Sequence, residues 1–83
     1  MSSDIASQVS ANALHERLLA AHERGDAGAL VALYRQAGEA AEGEGDIDRA
    51  CFFYVHAYVF ALEAGHPEAN WIRARLRRYR REE

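Results

Sequence analysis

The sequence predicts an all-α domain: four antiparallel helices arranged as two stacked helical hairpins. Three observations predict it. Glycine-centred breaks at Gly25-Asp26, Gly43-Glu44-Gly45-Asp46 and Gly65-His66-Pro67 divide the chain into segments of helical length. Within each segment, apolar residues recur every three or four positions, the period of a helix with one buried face. The only proline, Pro67, falls in a break, and no run of alternating apolar and polar residues occurs outside one aromatic stretch.

Residues 1–10 are Ser-rich with no apolar period and read as a flexible N-terminal segment ahead of a single helical domain over 11–83. The first helix, about 11–24, places Ala11, Leu14, Leu18 and Ala21 on one stripe. Gly25 suits a left-handed helix stop, and Asp26 can cap the exposed amides of a second helix over about 27–42. Its stripe is Leu30, Tyr34, Ala37 and Ala41. Gly45 and Asp46 repeat the same stop and start.

The third segment, about 47–64, contains the β-favouring run Cys51-Phe-Phe-Tyr-Val-His-Ala-Tyr-Val-Phe60. Helix signals on both sides, and a length too great for a typical strand, decide for helix. At 100° per residue, Ile47, Ala50, Tyr54, Ala57, Tyr58 and Ala61 line one face, and Phe52, Phe53, His56, Val59 and Phe60 line the other. Such a helix needs neighbours on both sides, so it is expected at the centre, with its second face partly covered by the fourth helix. That fourth helix is expected over 67–81, with Pro67 in its first turn and Ile72, Leu76 and Tyr79 as its core stripe. Short loops make sequence neighbours antiparallel.

A chain of 83 residues has room for one core and removes roughly 60% of its unfolded surface from water. Composition, 49% apolar and 28% charged, is that of a folding domain and not of a disordered one. The net charge of −3 argues against a protein that coats nucleic acid over its whole surface. The charge is nevertheless uneven: residues 1–66 hold four Arg against ten Asp and Glu, whereas 67–83 hold six Arg against three Glu. The single Cys51 precludes an internal disulfide, which suits a reducing compartment. The start lacks a signal-peptide pattern, and the longest apolar stretch, Ala50 to Leu62, is too short to cross a bilayer. A cytoplasmic protein with no membrane attachment is expected.

Residues able to carry chemistry are few. His15 and His22 are seven apart on one helix, too far along the axis to share a metal. Glu44, Asp46 and Asp48 alternate as in a calcium loop, but Arg49 stands where that loop needs Gly and Val55 where it needs Glu. Phosphate cradles and nucleophile elbows are absent from the sequence, so no catalytic, cofactor-binding or metal-binding residue and no small-molecule substrate is assigned, and no enzyme is expected. Cys51 has no basic residue one helical turn away and reads as a small buried hydrophobe. His56, between Phe52 and Phe60, reads as a core or interface histidine, with a pH-sensitive contact as the alternative.

Tyr34, Ala37-Gly38, Ala41, Gly45-Asp46, Ala50, Tyr54 and Ala57 have the order and spacing of a tetratricopeptide repeat. On these residues the stretch of about 34–62 resembles one such unit, with degenerate helices on either side. The resemblance implies a fragment of an α-α superhelix. In it Gly38 and Ala41 would let two helices approach closely, and Tyr54 would fill the groove between them. Repeats of this family bind other proteins, usually through three or more units.

Two surfaces are therefore candidates for function. The aromatic face, Phe52, Phe53, His56, Val59 and Phe60, suits self-association as a homodimer. The Arg-rich last helix, with an exposed Trp71 flanked by Arg75 and Arg78 and with Arg73, Arg77, Arg80 and Arg81 facing outward, suits a protein with an acidic surface. The expected function is a small non-catalytic protein-protein interaction module. The alternative is a nucleic-acid accessory protein that stacks Trp71 on bases and neutralises phosphates with Arg73, Arg77, Arg80 and Arg81.

Overall fold

The computed structural model describes residues 2–79, with side chains from residue 13 onward. Four helices follow one another: α1 (Ser2–Arg24), α2 (Ala27–Gly43), α3 (Ile47–Ala64) and α4 (Ala69–Arg78). The described residues contain no strand, and the aromatic run lies wholly within α3. The expected all-α architecture is observed.

The breaks work as their residues dictate. Gly25, Gly45 and Gly65 adopt φ of 65°, 80° and 63°, a left-handed geometry in which any Cβ is disfavoured. Asp26 accepts the Ala29 amide at 3.0 Å and Asp46 the Arg49 amide at 3.2 Å, so each carboxylate covers a donor the helix start leaves open.

The outer helices depart from expectation at their ends. α1 begins at Ser2 instead of about residue 11, because neither Gly nor Pro interrupts the chain before Gly25. The flexibility expected of residues 1–10 falls outside the described side chains. α4 begins at Ala69 instead of Pro67. His66 Nδ1 takes the Glu68 amide at 3.1 Å and the His66 carbonyl takes the Ala69 amide at 3.1 Å, a tight turn that precedes the α pattern. At its other end the Tyr79 amide tightens onto the Leu76 carbonyl, 3.1 Å, and the expected extension over residues 80–81 lies outside the described residues.

Each helix packs on its neighbours in the chain: α1 on α2, α2 on α3, and α3 on α4. The main core lies between the last three. Ala50, Tyr54, Ala57 and Ala61 of α3 are fully buried against Val31 and Ala41 of α2 and Ile72 and Leu76 of α4. A second cluster, Ala21 with Leu30 and Leu33, joins α1 to α2, and half-buried Tyr34 and Phe60 belong to both.

Small residues set the α2–α3 separation. Gly38 is buried where the two helices cross, and a Cβ built on it would stand 2.5 Å from Cε1 of Tyr54. The tyrosine ring fills the space that a side chain at position 38 would need.

The molecule measures 41 × 32 × 15 Å. α2 and α4 both pack on one side of α3 and touch each other through Arg35 and Trp71 and through Glu42 and Tyr79, and the opposite line of the α3 surface is left open.

Candidate functional site

The open line is apolar. Phe52, Val55, Val59 and Leu62 are 58%, 41%, 46% and 57% exposed, and they recur at steps of three, four and three along α3. That spacing stacks them into one stripe about 15 Å long. The flanking helices explain why the stripe is bare: α2 and α4 consume the Ala50, Tyr54, Ala57 and Ala61 side of α3.

The face expected for self-association divides in two. Phe52 and Val59 lie on the open stripe. Phe53, His56 and Phe60 are half-buried at its edge toward α2, and the helix that covers them is α2, not the expected α4. Tyr34 is the covering residue. Its ring lies 6.4 Å from Phe53, 5.1 Å from His56 and 5.9 Å from Phe60, the last nearly parallel at 11°. His22 of α1 meets the edge of Phe60 at 5.4 Å. His56 Nδ1 donates to the Phe52 carbonyl at 2.9 Å and its ring lies 4.5 Å from that of Phe52, which holds the imidazole beside the stripe.

Val55 and Leu62 belong to the stripe, although the sequence reading passes over them. Stepping three residues on from Phe52 and from Val59 would have found both, since a helical face continues through i+3 as well as i+4. Asp48, Cys51, Phe52, Val55 and His56 line a shallow hollow at its N-terminal end. Cys51 itself is buried, as its apolar neighbours predict.

The Arg-rich helix is arranged differently from expectation. Trp71 is not exposed but half-buried against the core, edge-on to Tyr54 with centroids 5.9 Å apart. Two guanidinium groups lie over its ring, Arg35 at 3.9 Å and Arg75 at 4.6 Å. Attraction between each cation and the π face places them there. Arg35 is fixed in turn by Glu39, 3.1 Å away, and by Glu68. Arg73, Arg77 and Arg78 are exposed, and Arg80 and Arg81 lie outside the described residues.

Glu42 of α2 organises the other side of this helix. One carboxylate oxygen accepts the Tyr54 hydroxyl and the other the Tyr79 hydroxyl, while Arg75 Nε stands 3.6 Å away. Burial opposes ionisation of Glu42. The two tyrosine hydrogen bonds and the charges of Arg75 and Arg78 outweigh it and hold the carboxyl below its usual range. Burial and the bond to Glu42 push the Tyr54 hydroxyl well up. The same carboxylate, through its hydrogen bond, raises Tyr79. These groups lock α2, α3 and α4 together, and every polar atom buried among the described side chains has a partner.

Among the described residues no three His, Cys, Asp or Glu side chains gather as a metal site would require. No described helix is long and apolar enough to cross a membrane. No family model, curated protein or solved structure matches this chain.

Proposed function

We propose that the chain is a small protein-protein interaction module that works through the open apolar stripe of α3. The observation that carries this reading is the alignment of Phe52, Val55, Val59 and Leu62, each more than two-fifths exposed, on a helix whose opposite side is packed. Scattered exposed apolar residues are ordinary on a protein surface. A continuous line of them, rimmed by half-buried aromatic rings, favours a covering partner. The close approach of Gly38 and Tyr54 supports the reading by seating α3 tightly on α2 while its stripe faces outward.

The nucleic-acid alternative rests on the exposure of Arg73, Arg77 and Arg78 on α4. A photo-crosslinking side chain at Val55, and separately at Arg77, in the full chain tests both readings against extract of the source cells. Protein adducts from position 55 are expected. Adducts from position 77 alone would overturn the proposal, and binding of short RNA at low salt, lost in an Arg73→Glu/Arg77→Glu variant, would favour the alternative.

A further inference from the structure

The stripe has the geometry of a helix-pairing seam, and its chemistry is complementary to itself. Phe52, Val55, Val59 and Leu62 follow the alternating three- and four-residue steps of a two-heptad seam. Asp48, the seam position before Phe52, is polar, and α3 itself ends two residues after Leu62, so the apolar run is bounded at both ends. Resting on the interaction-module reading, we propose that the occupant of this seam is a second copy of the chain, with the two α3 helices antiparallel about a two-fold axis.

Three features favour this occupant. The first is register: with the helices antiparallel, Phe52 faces the second copy's Leu62 and Val55 faces the second copy's Val59. A large residue then meets a medium one in each outer layer, and two valines meet near the axis. Both halves use the same patch, as a two-fold interface requires.

The second is charge. Arg49, whose guanidinium lies 5.6 Å over the Phe53 ring, and Glu63 are both exposed and lie two heptads apart on the same edge of the seam, the edge that also carries His56. Antiparallel pairing brings like edges together, so Arg49 meets the second copy's Glu63 and Glu63 meets the second copy's Arg49. Parallel pairing would set that edge against Cys51 and Tyr58, which offer no opposite charge. The pairing of opposite charges therefore selects the antiparallel arrangement.

The third is access. The Tyr34, Phe53 and Phe60 rings support the seam from the α2 side without covering it. The exposed stripe spans about 15 Å of the 18-residue α3.

The contact is small. A single helix-on-helix footprint of two heptads falls short of the roughly 800 Å² per chain of a standard stable interface. Association is therefore expected at roughly tens to hundreds of micromolar, reversible and concentration-dependent.

Sedimentation velocity of the full chain at neutral pH, from about 1 µM to about 1 mM, tests the proposal. The expected result is a mass rising from 9.3 kDa toward twice that value. Val59→Glu is expected to hold the chain monomeric throughout, with an unchanged helical circular dichroism spectrum; Leu62→Glu serves if Val59→Glu fails to fold. Arg49→Glu is expected to weaken association about tenfold, and Arg49→Glu/Glu63→Arg to restore it. A monomer at about 1 mM, a dimer that survives Val59→Glu, or a charge swap that fails to restore pairing would each overturn the antiparallel pairing. A monomeric chain that still crosslinks to another protein from position 55 defeats self-pairing alone and leaves the interaction module standing. A monomer with no protein adduct from that position defeats both.

Discussion

Replacing Gly38 with alanine tests the packing that seats α3. The new methyl would stand 2.5, 2.7 and 2.9 Å from three atoms of the Tyr54 ring, where ordinary carbon contacts lie near 3.5–4 Å. The ring has nowhere to go. It is fully buried, its hydroxyl is bound to Glu42 and its face meets the edge contact with Trp71. Overpacking of this kind costs about 1–3 kcal/mol, and moving the ring also strains a hydrogen bond to a charged group worth about 1.5–3 kcal/mol. Against this, alanine gains about 1 kcal/mol in intrinsic helix propensity. The net expectation is a loss of about 2 kcal/mol. Urea titration followed by circular dichroism reads the loss directly, and the melting temperature of a domain this small should fall by about 8–16 °C. Gly28→Ala is the control, because its methyl meets nothing closer than 3.7 Å; it should stabilise by about 0.5–1 kcal/mol. A Gly38→Ala chain as stable as the parent would refute the claim that Tyr54 sets the helix separation.

Stability should fall on acidification below about pH 4.5, because Glu42 has a lower pKa folded than its ordinary 4.5 and its contribution is lost as pH drops through the folded value. Glu42→Gln should cost about 1–3 kcal/mol at neutral pH and flatten that acid limb, as read by urea titrations across pH. At the alkaline end the sign reverses: Tyr54 and Tyr79 are raised above the ordinary 10.0, so the stability they confer is intact below pH 10 and lost as pH climbs above it. Asp46→Ala removes the acceptor for the Arg49 amide and should cost about 1 kcal/mol in the same assay, whereas Asp48→Ala should not reproduce that loss of a cap. Arg35→Met should cost about 1 kcal/mol and shift the fluorescence of Trp71, the single tryptophan, since it removes one of the two cations over the ring.

Much of this was readable from local pattern. Gly25, Gly45 and Gly65 fall where left-handed stops are needed, and Asp26 and Asp46 follow them where open amides need acceptors, so helix boundaries in the middle of the chain agree with expectation to within a residue. The buried face of α3 was equally legible, because Ala50, Tyr54, Ala57 and Ala61 recur at helical spacing. The start of α4 was not, since it depends on His66 bonding the Glu68 amide in place of an α turn at Pro67.

Local periodicity encodes helix identity and the faces each helix can bury, because both depend on residues within a few turns of one another. It carries no information on which neighbour reaches which face. That outcome depended on contacts made between distant segments. Tyr34 covers Phe53, His56 and Phe60 from α2, Arg35 and Arg75 close over Trp71, and Glu42 gathers Tyr54 and Tyr79 from two other helices. The Trp71 surface was thereby turned inward. The line through Phe52, Val55, Val59 and Leu62 stayed open because α2 and α4 both pack on the Ala50, Tyr54, Ala57 and Ala61 side of α3.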